Sequence, residues 1–236
     1  MRLRGKRLRT EQKYYLHMHD YLTLRMKVSQ LLTLDPNSVD IDGYNIRSLY
    51  FDDPRRTSLE TKNDGVFKRQ KFRIRIYNGE DRHIALERKS KMGDFVAKES
   101  VPLSREQYEQ ILQGDYNSLY ESGDPLAQDF YAAMTSYGYL PTTIVDYWRE
   151  AYIFPQGNVR ITFDKRLAVG ANQLDLFHPE LMLSEIIMPG VTIMEVKFDD
   201  VLPNVVRQLV TPAKNLRSSI SKYVLCKEKH LLLHTQ

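Results

Sequence analysis

Apolar and polar positions alternate with a period of two through much of this chain. In residues 71–76, Lys-Phe-Arg-Ile-Arg-Ile, a strand puts Phe72, Ile74 and Ile76 on one face and Lys71, Arg73 and Arg75 on the other. Similar alternation, or β-branched and aromatic content, marks 9–16, 43–51, 66–77, 84–91, 94–101, 142–154, 158–169 and 192–198 as strands. Turn signals such as 77–81 and 155–158 separate them.

The helices break the pattern with their own signatures. Residues 104–114 open on Ser104 with Gln107 at capping-box spacing and stop at Gly114. Residues 124–138 have Asp124 as N-cap, Pro125 at the first turn and Gly138 as terminator. A further helix begins near Asp20, and the C-terminal region reads as two helices divided around Pro212. In the second of these, Ser218 and Lys222 fall four residues apart on one face. Nothing repeats and no composition break divides the chain, which predicts a single domain over 10–236 behind a basic arm, 1–9.

The polar faces carry unusual charge. Glu11 with Lys13, Glu87 with Lys89 and Lys91, and Glu195 with Lys197 share strand faces, as do Arg160, Thr162 and Asp164; Lys98 and Arg149 add to the set. Arg47 fits less well, because Ser48, Tyr50 and Asp52 make the opposite face equally polar. An antiparallel sheet with one wet face would alternate in this way. Rows dominated by Arg and Lys, however, repel one another across a sheet. Turned into the interior of a closed sheet, they need an anionic partner, and a polyphosphate with a divalent metal would supply it. Arg offers bidentate hydrogen bonds to phosphoryl oxygens and Lys a mobile point charge.

Composition narrows the classes. The net charge of +4 over 236 residues is too mild to indicate nucleic acid. Cys226 is the single cysteine, which excludes an intramolecular disulfide framework and predicts a reducing, cytoplasmic setting; a packing role is its simplest reading. No apolar run suggests a membrane span or signal peptide. The six histidines lack zinc-site spacing, His17 and His19 included, and no Gly-rich phosphate loop occurs.

Taken in order, the motifs at 9–16, 48–53, 71–77, 85–91, 98–100, 147–152, 159–164, 193–198 and 219–223 resemble the triphosphate tunnel metalloenzymes, and within them the polyphosphate polymerase domain of the vacuolar transporter chaperone (VTC) complex. The resemblance implies an α+β fold, an eight-stranded antiparallel β-barrel with flanking helices, whose interior binds a triphosphate and one divalent metal, Mg²⁺ or Mn²⁺. It implies transfer of the γ-phosphoryl group of ATP to a growing polyphosphate chain. Carried over, Arg73, Arg75, Ser221 and Lys222 would be catalytic, Lys13, Arg47, Lys71, Lys89, Lys98, Arg149, Arg160 and Lys197 would bind phosphate, and Glu195 would bind the metal. ATP and polyphosphate are the implied ligands, with membrane association through a partner protein. The hydrolase branch begins Glu-x-Glu-x-Lys, whereas this chain has Thr10-Glu11-Gln12-Lys13. The alternatives are an inorganic or nucleoside triphosphatase, and a non-catalytic module that binds polyphosphate or inositol polyphosphate.

Overall fold

All eight alternating segments form strands in the computed structural model, which describes residues 2–210 and 218–233. A short hairpin, β1 (Arg2–Leu3) and β2 (Lys6–Arg7), precedes β3 (Arg9–His17), helix α1 (Met18–Leu31) and β4 (Thr33–Leu34). Next come β5 (Tyr44–Asp52), α2 (Thr57–Asn63), β6 (Lys68–Tyr77), β7 (Glu80–Met92) and β8 (Phe95–Leu103). Three helices follow, α3 (Arg105–Gln113), α4 (Asn117–Glu121) and α5 (Pro125–Tyr137). The remainder is β9 (Leu140–Phe154), β10 (Val159–Gly170), β11 (Leu183–Glu185), β12 (Val191–Phe198), α6 (Asn204–Val210) and α7 (Lys222–Leu233).

Ten of the strands form one antiparallel sheet in the order β11-β10-β12-β3-β8-β7-β6-β5-β9-β4. Pairing of β10 with β9 brings the sheet round on itself, so that eight strands ring a central space and β4 and β11 sit outside the circuit. The ring is uneven. Strand β3 pairs with β12 along Thr10–His17 but with β8 only at Arg9 and Thr10. Beyond that point, residues entering α7 take over, and the Ser218 amide donates to the Lys13 carbonyl at 2.9 Å.

The strand alternation assigns apolar residues to the outside of the ring, where helices cover them. Leu49, Phe51, Phe72, Ile74 and Leu86 pack against Tyr108, Ile111, Leu126 and Phe130 of α3 and α5. On the other side, Ile161, Phe163, Met194 and Val196 pack against Tyr21, Leu24 and Val28 of α1 and Val206 and Val210 of α6. Helix α7 closes part of the interior with Tyr223, Val224 and Cys226, set against Val145, Tyr147 and Ile193. The Cys226 thiol is buried, 3.5 Å from the Ala168 carbonyl oxygen, so packing accounts for it.

The expected caps of α3 and α5 are present: Ser104 and Gln107 make a reciprocal capping box, and Asp124 accepts from the Leu126 and Ala127 amides. Helix α1 starts at Met18, as the sequence indicates to within two residues. Pro212 lies outside the described residues. The helix expected to carry Ser218 and Lys222 on one face starts only at Lys222, so the two do not share a helical face. Among the described residues, no helix is long and apolar enough to cross a membrane.

Candidate functional site

The inward faces converge as a cationic cavity with two compartments that share Glu11, Arg73, Arg75, Lys89, Arg149 and Lys197. The narrow one, about 120 Å³, reaches Lys62, Arg69, Lys71, Lys91 and the 219–222 segment. The wide one, about 760 Å³, ends among Arg9, Asn37, Tyr77, Lys98 and Arg160. Lys71, Arg73 and Arg75 therefore do face a common interior, and β6 supplies them because its other face is needed for the outer core.

Four carboxylates offset this charge in part. Glu195 takes Lys222 at 2.7 Å, Lys197 at 3.2 Å, Lys13 at 3.3 Å and Arg149 at 3.5 Å. Glu11 takes Lys89 at 2.9 Å, Lys13 at 3.3 Å and Lys197 at 3.5 Å. Asp164 holds the Arg149 fork at 2.6 and 2.7 Å and Lys222 at 2.5 Å. Glu87 binds Arg73 and Lys98, each at 2.6 Å, and has Arg75 at 3.8 Å. Burial alone would raise the pKa of all four, but the surrounding cations hold every one below its ordinary range.

The cations are not equally satisfied. Burial lowers the Lys222 pKa, but Asp164 and Glu195 more than reverse this and raise it. Among the described residues, the hydrogen-bond partners of Arg75 are neutral, Ser48 Oγ at 3.1 Å and Tyr147 OH at 3.2 Å, and its nearest carboxylate is Glu87 at 3.8 Å. Lys71 has no carboxylate within ion-pair distance among the described residues; its ammonium lies 3.3 Å from Ser221 Oγ and 4.4 Å from the Tyr223 ring centre. Burial, with Lys89 nearby, pushes its pKa down to about 7, and burial brings Lys89 down to about 8. Burial likewise lowers Lys62, Arg69 and Lys91 at the narrow end.

Of the residues marked out in the sequence, Lys13, Lys71, Arg73, Arg75, Lys89, Arg149, Glu195, Lys197, Ser221 and Lys222 line the narrow compartment. Lys98 and Arg160 line the wide one, where Arg160 is held by Asp35 at 2.6 Å and the Tyr44 hydroxyl at 2.7 Å. Arg47 is not brought together with them. It points out of the ring, donating to Asp146 at 2.8 Å and to the Leu176 carbonyl at 2.9 Å. The polar face opposite it is the inward one, since Ser48 meets Arg75 and the Tyr50 hydroxyl accepts from Arg73 at 2.8 Å. His17 ends β3 while His19 lies in α1, and among the described residues no three His, Cys, Asp or Glu side chains converge as a metal cage.

Sequence reasoning did not assign Glu11, Glu87 and Asp164 to the site, although each shares a strand face with a cation that it did assign. Nor did it single out Gly43. A Cβ there would come within 1.9 Å of the Arg149 carbonyl oxygen, so only glycine lets the chain pass β9 at the point that positions the Arg149 guanidinium.

The family model for the VTC domain matches residues 8–229, nearly the whole chain. The chain belongs to the VTC-domain family. Its fold is also that of several solved structures at low sequence identity. A Hippeastrum protein described as a candidate adenylyl cyclase with a dominant triphosphatase activity aligns with TM-score 0.54 and 12% identity, over 96% of this chain and 98% of its own. A candidate adenylate cyclase from Vibrio parahaemolyticus gives 0.51 and 12%, over 93% and 98%. A Pyrococcus horikoshii protein gives 0.50 and 10%, over 92% and 98%. No curated protein matches. Membership of the VTC-domain family, together with this ring fold, supports a function in handling triphosphates.

Proposed function

We propose that this VTC domain is a polyphosphate polymerase that transfers the γ-phosphoryl group of ATP to a growing polyphosphate chain inside the ring. The observation that carries this reading is the charge balance of the interior. Lys13, Lys71, Arg73, Arg75, Lys89, Arg149, Lys197 and Lys222 face one cavity against Glu11, Glu87, Asp164 and Glu195. The excess cations collect at the narrow end, beyond the region that the carboxylates neutralise. An interior whose cations outnumber its carboxylates suits a polyanion, and phosphoryl transfer needs alignment and charge stabilisation rather than a covalent nucleophile.

The donor set fits a hard divalent ion such as Mg²⁺ or Mn²⁺. Glu195 and Glu11 share Lys13 and Lys197, so two carboxylates lie side by side, and such ions take one or two carboxylates with substrate phosphates completing the shell. Glu195 and Glu11 would hold the ion, which would supply charge neutralisation to the phosphoryl groups. Arg75 and Lys71, which have no carboxylate as close as those of Lys222, would meet phosphate, while Lys222, held by two carboxylates, would steady the terminal group. The deciding assay supplies ATP with Mg²⁺ or Mn²⁺ and separates the products. Polyphosphate is expected; orthophosphate alone would make the domain a triphosphatase, and no turnover with tight polyphosphate binding would make it a binding module.

A pH dependence follows from the two depressed lysines. In the unfolded chain a lysine keeps its proton to about pH 10.4, whereas Lys71 and Lys89 release theirs near 7 and 8. Between those values and pH 10 the unfolded state binds more protons, so the stability of the ligand-free protein rises with pH. Affinity for polyphosphate is expected to fall over the same window, since the anion favours the charged lysines. Melting temperature and calorimetric affinity measured from pH 6.5 to about 9.5 should move in opposite directions; parallel trends would rule this out.

Lys222→Ala should lower turnover more than nucleotide affinity, and should also lower the melting temperature because Asp164 and Glu195 each lose a close cation. An unchanged rate would remove Lys222 from the catalytic set.

A further inference from the structure

The outer wall of the ring carries a second concavity that the tunnel chemistry does not use. Tyr147 and Arg149 face the interior, so Trp148 between them faces out, where it joins Met18, Ile187 and Met188 around a pocket of about 440 Å³. The apolar surface continues along α1. Met18, Leu22 and Met26, spaced by four residues, lie on one helical face and are 51%, 47% and 65% exposed, beside a Met188 that is 72% exposed. That stripe is about 12 Å long, two turns of helix.

The charges at its edge select among occupants. Arg166 is taken up by Glu185 at 2.9 Å, and Lys165 and Arg25 turn inward to the buried Glu150 at 3.3 and 2.6 Å. Asp40 and Asp42, exposed at the lip, are in no ion pair among the described residues. Beside the stripe, exposed Lys27 and half-buried Asp20 of α1 are likewise in no ion pair among the described residues, so the uncommitted charge is negative on balance, which disfavours an anionic bilayer and favours a cation next to an apolar anchor. Methionine surfaces accommodate varied side chains, and an exposed i, i+4 apolar stripe along a helix packs against the apolar face of a second helix. We propose that this face is the docking site for a basic amphipathic helical segment of a partner polypeptide. The site is independent of the tunnel.

Trp148 is the only tryptophan in the chain, so its fluorescence reports occupancy directly. The probes are synthetic amphipathic peptides of about 15 residues, one of leucine and lysine and one of leucine and glutamate, and vesicles containing phosphatidylglycerol. The leucine–lysine peptide is expected to give a saturable blue shift, half complete below about 100 μM. Asp40→Asn with Asp42→Asn should weaken it about fivefold, and Leu22→Gln with Met26→Gln should weaken it too, with the melting temperature and triphosphate affinity unchanged in both. Absence of a saturable shift would overturn the proposal, as would equal binding of the leucine–glutamate peptide or stronger binding of the vesicles. Sedimentation showing a dimer of this chain that Leu22→Gln with Met26→Gln dissociates would replace the partner with a second copy.

Discussion

Glu195→Gln is expected to reduce metal-dependent phosphoryl transfer by about 100-fold or more while leaving metal-free polyphosphate binding equal or tighter. The substitution keeps the side chain's shape and removes the charge that a hard divalent ion requires. Glu195 is also the carboxylate shared by Lys13, Arg149, Lys197 and Lys222, so its loss leaves two buried and two half-buried cations less compensated. Breaking such a buried arrangement costs about 3 kcal/mol or more, and the ligand-free variant should melt at lower temperature. Added polyphosphate should restore much of that stability, because the anion supplies the missing negative charge. Undiminished turnover with metal would sink the assignment of Glu195 as metal ligand. Lowered stability with no rescue by polyphosphate would mark a purely structural carboxylate.

Arg75→Ala and Arg73→Ala should part company, even though the residues are neighbours on one face of β6. A charged hydrogen bond to phosphate contributes about 1.5 to 3 kcal/mol, so Arg75→Ala is expected to weaken binding of a non-hydrolysable ATP analogue by about 10- to 150-fold. Its close partners are hydroxyls and Glu87 is 3.8 Å away, so the fold should be little affected. Arg73 is committed to Glu87 and the Tyr50 hydroxyl. Its removal should cost melting temperature as well as affinity, because Glu87 then keeps Lys98 as its one close partner. Parent-like affinity in Arg75→Ala would take that residue out of the phosphate site, and equal stability of the two variants would contradict the division of roles between them.

The sequence shows the ring well and the site in outline, for a definable reason. A strand with one apolar face repeats its signal every second residue, and eight such strands are long enough for the pattern to stand out. Strands β4 and β11, at two and three residues, offer no period to read, and α2 has only Ser58 and Leu59 buried in its seven residues. Facing is legible where one side is apolar, as in β6. It is lost in β5, where Arg47 and Ser48 are both polar and only tertiary contacts decide that Ser48, Tyr50 and Asp52 face in. Pairing is harder again. Glu11 meets Lys89 from 78 residues away, and nothing local in either strand encodes that contact. The role of Ser218 misleads for a similar reason, because helical spacing to Lys222 suggests a shared face while the Ser218 amide is bonded to β3.

The sparse joint between β3 and β8 bears on how the chain is made. Strand β3 leaves the ribosome more than 170 residues ahead of its full partner, β12, which begins at Val191, and the stitch at Ser218 comes later still. At about 5 to 20 residues per second, the nascent strand waits on the order of ten seconds or more with its edge bare. During that time Lys13 and Glu11 remain in water, and the repulsive lining is not assembled until the residues that neutralise it have been synthesised. Ring closure therefore waits on the synthesis of β12 and α7, and a chain truncated before β12 would present an open sheet edge to chaperones and to its own copies.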